Sequence, residues 1–125
     1  MIFIIGGEAQ GKTAYAKQKF QLSNSDILDG EFCGEEILSA KCIKNYHLLL
    51  KKSENPIILT ERLCQQNPDV IVIMNEIGCG IIPIEKSERI WRETVGKCGC
   101  ILAAHADIVI RMLCGIPEII KENCT

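Results

Sequence analysis

The chain has 125 residues, 47% of them hydrophobic and 24% charged, with a formal net charge of −2. This size predicts one domain over residues 1–125 with a single core, and this charge argues against nucleic acid or an anionic membrane surface as a partner. No apolar run approaches the length of a bilayer span, and Met1 leads into a strand-like run without a basic leader, so the expected location is cytoplasmic.

The first element carries the strongest signal. Met1–Ile5 is a short apolar run of the kind buried in a parallel sheet, and Gly6-Gly7-Glu8-Ala9-Gln10-Gly11-Lys12-Thr13 follows directly. G-x-x-x-x-G-K-T between a strand and a helix is the phosphate-binding P-loop. Its glycines let successive backbone N–H groups turn toward phosphate oxygens. Lys12 is expected to reach the β- and γ-phosphates and Thr13 to offer its hydroxyl to Mg²⁺. The helix predicted over Thr13–Leu22 adds the positive end of its dipole at the same place. Residues Gly6, Gly7, Glu8, Ala9, Gln10, Gly11, Lys12 and Thr13 together predict a site for a nucleoside triphosphate, ATP or GTP.

Beyond the loop, strands and helices alternate, which predicts an α/β fold with a mostly parallel sheet and helices on both faces. Ser25–Asp29 reads as a short second strand. From Glu35 to Lys52, Leu38, Cys42, Tyr46 and Leu49 recur at helical spacing and predict one amphipathic helix. Pro56 opens the next helix, which ends near Gln66 before Asn67-Pro68. Asp69–Met74 contains Val70-Ile71-Val72-Ile73, a buried parallel strand by length and β-branching. A glycine-containing loop through Pro83 leads into a long helix over Glu85–Ala106, with Trp91, Val95, Cys98, Leu102 and Ala106 on its apolar stripe. Ile108–Leu113 is a further strand, and a short edge strand passes through Ile119-Ile120.

A P-loop needs an acid near its metal, usually at the end of an apolar strand. Asp29 and Glu76 both close such strands at the carboxyl edge where α/β proteins bind ligands, so either could orient metal or nucleophile. Asp29 is the candidate for the metal; a turn acid before Gly30 is its structural alternative. Arg89 and Arg92 lie one turn apart and could neutralise phosphate, although a solvated helix face explains them as well. His47 and His105 have no metal-spaced partner and read as ordinary helical residues. The eight cysteines include no C-x-x-C pair and read as small buried hydrophobes, Cys42 and Cys98 on helical apolar faces.

The loop and the second half of the chain together resemble a known family. Asn75-Glu76-Ile77-Gly78-Cys79-Gly80-Ile81-Ile82-Pro83 matches the family's T-N-E-V-G-x-G-I-V-P segment, and Arg89-Ile90-Trp91-Arg92-Glu93-Thr94-Val95-Gly96 matches R-x-x-R-D-x-x-G. Leu102-Ala103-Ala104-His105-Ala106-Asp107 matches L-A-x-x-A-D, and the run from Gly115-Ile116 to Lys121 matches G-I-x-x-x-I-K. These residues resemble the bifunctional adenosylcobinamide kinase/adenosylcobinamide-phosphate guanylyltransferases of cobalamin biosynthesis. The resemblance implies a RecA-like P-loop NTPase fold, a purine nucleoside triphosphate as donor, a corrinoid acceptor and a homo-oligomer, often a trimer. It also implies phosphorylation of a cobinamide hydroxyl, followed in the family by GMP transfer through a guanylylated histidine. The family places that histidine in a segment after the P-loop helix, with a strand of its own. Here Leu22 passes almost directly to Asp26, which predicts a shortened member without the guanylyltransferase half. The sequence therefore points to an adenosylcobinamide kinase-like protein. A catalytically silent nucleotide-binding partner protein and a small P-loop kinase for another acceptor are the alternatives.

Overall fold

A computed structural model describes residues 1–77 and 85–123. Its elements are β1 (Ile2–Gly6), α1 (Lys12–Phe20), β2 (Ile27–Asp29), β3 (Cys42–Lys44), α2 (Tyr46–Lys52), α3 (Pro56–Gln66), β4 (Ile71–Asn75), α4 (Lys86–His105), β5 (Ile108–Leu113) and β6 (Ile116–Glu122). Short 3-10 turns precede β2 and β3, at Asn24–Asp26 and Glu35–Ser39.

The six strands form one sheet in the order β2-β3-β4-β1-β5-β6. Every neighbouring pair is parallel except β5 and β6, which are antiparallel. β1 is central, and its last residue, Gly6, is in register with Asn75 of β4 and Met112 of β5. The loop that leaves Gly6 therefore starts flanked by the carboxyl ends of two neighbouring strands.

Side chains alternate across the central strands and feed two cores. Phe3, Ile43, Val72, Met74 and Val109 pack with Leu49, Leu50, Leu63, Val95, Cys98 and Leu102 of α2, α3 and α4. Ile4, Cys42, Ile71, Ile73, Ile110 and Met112 pack on the opposite face with Ala16 of α1 and with Leu22. Neighbours in sequence, such as Phe3 and Ile4 or Cys42 and Ile43, thus bury on opposite faces, as a strand buried on both sides requires. The expected α/β architecture, with a mostly parallel sheet and helices on both faces, is what the chain forms.

One expected element is not there. The helix anticipated over Glu35–Lys52 is instead a 3-10 turn, the strand β3 and the short helix α2. Cys42 and Ile43 are both fully buried, which one face of an amphipathic helix does not require but a strand between β2 and β4 does. The helical spacing of Leu38, Cys42, Tyr46 and Leu49 arises because three different elements each contribute to the core, Leu38 half-buried and the other three buried. Asn45 then adopts a left-handed conformation (φ 54°) as it starts α2, a conformation that asparagine tolerates better than most residues. Cys42 accordingly lies on a strand; burial raises its thiol pKa to about 12.

Smaller differences concern ends. β2 is limited to Ile27–Asp29, and β6 runs for seven residues, longer than expected. The helix over Pro56–Gln66 has the expected bounds. The Gly78–Pro83 part of the loop read in the sequence lies outside the described residues.

Candidate phosphate-binding site

The loop between β1 and α1 closes on itself. Lys12, the first residue of α1, is buried, and its Nζ donates to the carbonyl of Gly7 across 2.6 Å. Burial lowers the Lys12 pKa, while the charge of Glu8 opposes that shift. Gly11 starts the helix at φ 82°, a left-handed position where any Cβ is strained. Gly6 is required for a different reason: a Cβ there would stand 2.6 Å from the Met112 carbonyl oxygen of β5. The turn between β5 and β6 also rests on the loop, since the Cys114 N–H donates to the Gln10 side-chain oxygen.

A cavity of about 610 Å³ opens above this loop. That volume is ample for a nucleotide or another small ligand, for which pockets of about 300–1,000 Å³ are usual. One wall is Glu8 through Ala14; the other combines Asn45, His47 and Leu48 with Ile73, Asn75, Ile77 and Trp91. The N-terminus of α1, a nine-residue helix, faces this space with a buried ammonium beside it, a combination suited to an anionic group.

The expected loop residues Glu8, Ala9, Gln10, Gly11, Lys12 and Thr13 all line the cavity. Gly6 and Gly7 lie just before them, at the end of β1 and in the loop. The two expected acids are placed elsewhere. Ile73, Asn75 and Ile77 line the cavity on one alternation of the chain, so Glu76 faces away, and its Oε2 pairs with Arg111 of β5 at 3.3 Å. Asp29 ends the edge strand β2, three strands from β1 or roughly 14 Å at ordinary strand spacing. It accepts hydrogen bonds from the Glu31 N–H and from the Asn45 side-chain amide, at 2.9 and 3.1 Å. Among the described residues, Asp29 thus reaches the cavity wall through Asn45. Glu8 is the one carboxylate among the described wall residues. Neither Arg89 nor Arg92 is on that wall.

Three of the wall residues that carry hydrogen-bonding groups have no functional signal in the sequence. His47 reads as an ordinary helical residue, Trp91 belongs to the apolar stripe of α4, and Asn45 falls in no motif. His47 is 5% exposed, its Nδ1 accepts the Asn75 N–H at 3.2 Å, and its carbonyl accepts the Trp91 indole N–H at 2.9 Å. Burial first, and then the nearby Lys12 charge, push its pKa down to about 4, so the ring is neutral at pH 7. The missing signal was β3: once Cys42–Lys44 is a parallel strand, Asn45 and His47 follow its carboxyl end, where such sheets bind ligands.

Comparison with known proteins identifies the family of the chain. The sequence model described as "CobU: Cobinamide kinase / cobinamide phosphate guanyltransferase" matches residues 40–120, well over half of the chain. The chain belongs to this family. It is also 32% identical over 78 residues to the bifunctional adenosylcobalamin biosynthesis protein CobU of Salmonella typhimurium, across 62% of this chain. The matched stretch spans 43% of that relative's own length. The cobinamide kinase / guanyltransferase family has a P-loop NTPase-like fold, in keeping with the six-stranded α/β sheet and the loop at the tip of its central strand.

Proposed function

We propose that this chain binds ATP or GTP at the loop formed by residues 6–13 and transfers the γ-phosphoryl group to the hydroxyl of adenosylcobinamide. The observation that carries this reading is the buried Lys12 ammonium, folded into its own loop at the mouth of a ligand-sized cavity. Among the described residues its one hydrogen bond is to a carbonyl, so an incoming phosphate can take the ammonium over with a charge-assisted bond. Thr13 lies on the cavity wall, where its hydroxyl would hold Mg²⁺. Phosphoryl transfer then asks chiefly for positioning and charge stabilisation. The acceptor oxygen bonds to the γ-phosphorus, the bond to the bridging oxygen breaks, and the hydroxyl proton leaves to solvent. The half-apolar wall of Leu48, Ile77 and Trp91 is the candidate place for the acceptor.

On this reading the guanylyl-transfer step is lost. The connection from α1 to β2 holds only a short 3-10 turn, and the Nδ1 of His47 is already occupied by the Asn75 N–H. One observation favours a second reading, a nucleotide-binding protein without catalysis: Asp29 and Glu76 are engaged with other residues, away from the cavity wall. Calorimetric titration of ATP and GTP with Mg²⁺, followed by adenosylcobinamide and assay for nucleoside diphosphate, separates the two. Turnover supports the kinase. Tight binding without turnover moves the reading to the silent protein, and no binding removes both.

A further inference from the structure

We propose that His47 offers its Nε2–H to the terminal phosphate of the bound nucleoside triphosphate, making it the second donor, with Lys12, that distinguishes a triphosphate from a diphosphate. This inference rests on the reading of the loop as a nucleotide site.

The tautomer follows from geometry. Nδ1 lies 3.2 Å from the Asn75 backbone nitrogen, whose N–H must be donated to it. That nitrogen therefore carries the lone pair, and in a neutral ring the proton sits on Nε2. A doubly protonated ring would set two N–H groups against each other at that contact. No hydrogen bond of Nε2 is found among the described residues, and this atom is not one of the fully buried unpaired ones; the residue is otherwise buried (5% exposed) and lines the cavity. A donor that opens onto the cavity from an otherwise buried residue is suited to a ligand acceptor.

The ring is also held still. The His47 carbonyl accepts the Trp91 indole N–H, and the two rings lie 6.5 Å apart at a 38° tilt. Its orientation thus depends on β4 through Asn75 and on α4 through Trp91, before any ligand arrives. Lys12 approaches the same cavity from α1, on the opposite face of the sheet. The Lys12 charge reaches His47 strongly enough to help depress its pKa, so the two side chains address one region. A neutral donor is what that region tolerates beside an ammonium. Because Nε2 bears the proton and Nδ1 is occupied, His47 in this arrangement is neither a nucleophile nor a general base. It is a fixed donor for an anion, and the phosphate that the P-loop lysine reaches is the terminal one.

The test compares ATP with ADP, each with Mg²⁺, by calorimetry on the full chain and on His47→Phe and His47→Gln. His47→Phe is expected to weaken ATP about tenfold, the scale of one charge-assisted hydrogen bond, and to leave ADP within about twofold. His47→Gln, which keeps an N–H donor, should recover part of the ATP affinity. Equal loss for both nucleotides, or no loss for ATP, overturns the inference while leaving the nucleotide site standing. A wild type that binds neither nucleotide, like its Lys12→Ala variant, removes the site and the inference with it. Should His47→Phe not fold, ¹⁵N-histidine NMR on the wild type gives the same decision. An Nε2–H resonance that shifts with ATP but not with ADP supports the role, and an identical response to both overturns it.

Discussion

The indole N–H of Trp91 donates to the backbone carbonyl of His47 across 2.9 Å, pinning α4 to α2 beside the cavity above the β1–α1 loop. The ammonium of Lys51 sits 4.7 Å from the centre of the same ring. Trp91 is the chain's single tryptophan and it lines the cavity, so its fluorescence is sensitive to what occupies that space. Titration with nucleotide or corrinoid is expected to change its intensity, and Lys12→Ala should abolish the nucleotide response. Trp91→Phe keeps an aromatic face but loses the donor; urea unfolding should show a loss of about 1–2 kcal/mol.

Lys12→Ala separates binding from folding. Among the described residues the ammonium makes one hydrogen bond, to Gly7, and it is partly desolvated, so its removal should shift the melting temperature little. Nucleotide affinity, by contrast, should fall at least about a hundredfold, the scale of losing a charge-assisted contact to phosphate. A large drop in melting temperature with retained nucleotide binding would contradict the role given to this residue.

His47 should make stability depend on pH. Its folded pKa of about 4 lies below the ordinary 6.5, so between those values the unfolded chain binds the extra proton and the folded chain does not. Stability from this residue is complete above the ordinary value and falls as pH drops through 6.5 toward 4. The full loss is at most about 3 kcal/mol at about 1.4 kcal/mol per unit. Denaturant unfolding of the wild type and of His47→Gln at pH 7 and pH 4.5 measures it, because the variant lacks this contribution. Parallel pH dependences in the two proteins would refute it.

Tyr46 and Thr60 provide a test of the core beneath the site. Both are fully buried, their oxygens are 2.8 Å apart, and the Thr60 hydroxyl lies 2.8 Å from the Pro56 carbonyl. Thr60 donates to that carbonyl, which leaves Tyr46 to donate to Thr60. Tyr46→Phe removes one donor and leaves Thr60 paired, so the expected cost is about 1 kcal/mol. Thr60→Val strands the tyrosine hydroxyl without an acceptor in a dry core, and should cost about 2–3 kcal/mol. Equal effects in urea unfolding would mean that the hydroxyls are not arranged in this direction.

Much of the frame was legible because its signals are local. The apolar run before Gly6, the spacing of Gly6, Gly11, Lys12 and Thr13, the β-branched stretch through Ile73 and the proline at the start of α3 each encode their own element. The strand β3 was not legible. Three residues long, it is a strand only because β2 and β4 supply its hydrogen-bonding partners, and no window of sequence contains them. Mistaking it for helix hid the position of Asn45 and His47.

The choice between carboxylates had the same cause. Asn75 and Glu76 are adjacent in sequence, and strand alternation sends one to the cavity and the other to Arg111. Which of them faces the loop depends on the side of β4 that α1 covers. The sequence by itself therefore determined a glycine-containing loop between a buried strand and a helix and the alternation of strand with helix, because backbone conformation and burial there follow from neighbouring residues. Only the tertiary structure decided that Asp29 stands at the far edge of the sheet, that Glu76 turns away, and that His47, Asn45 and Trp91 share the cavity with Lys12. Those contacts join residues from different elements, and strand order, helix face and register, which are set by global packing, bring them together.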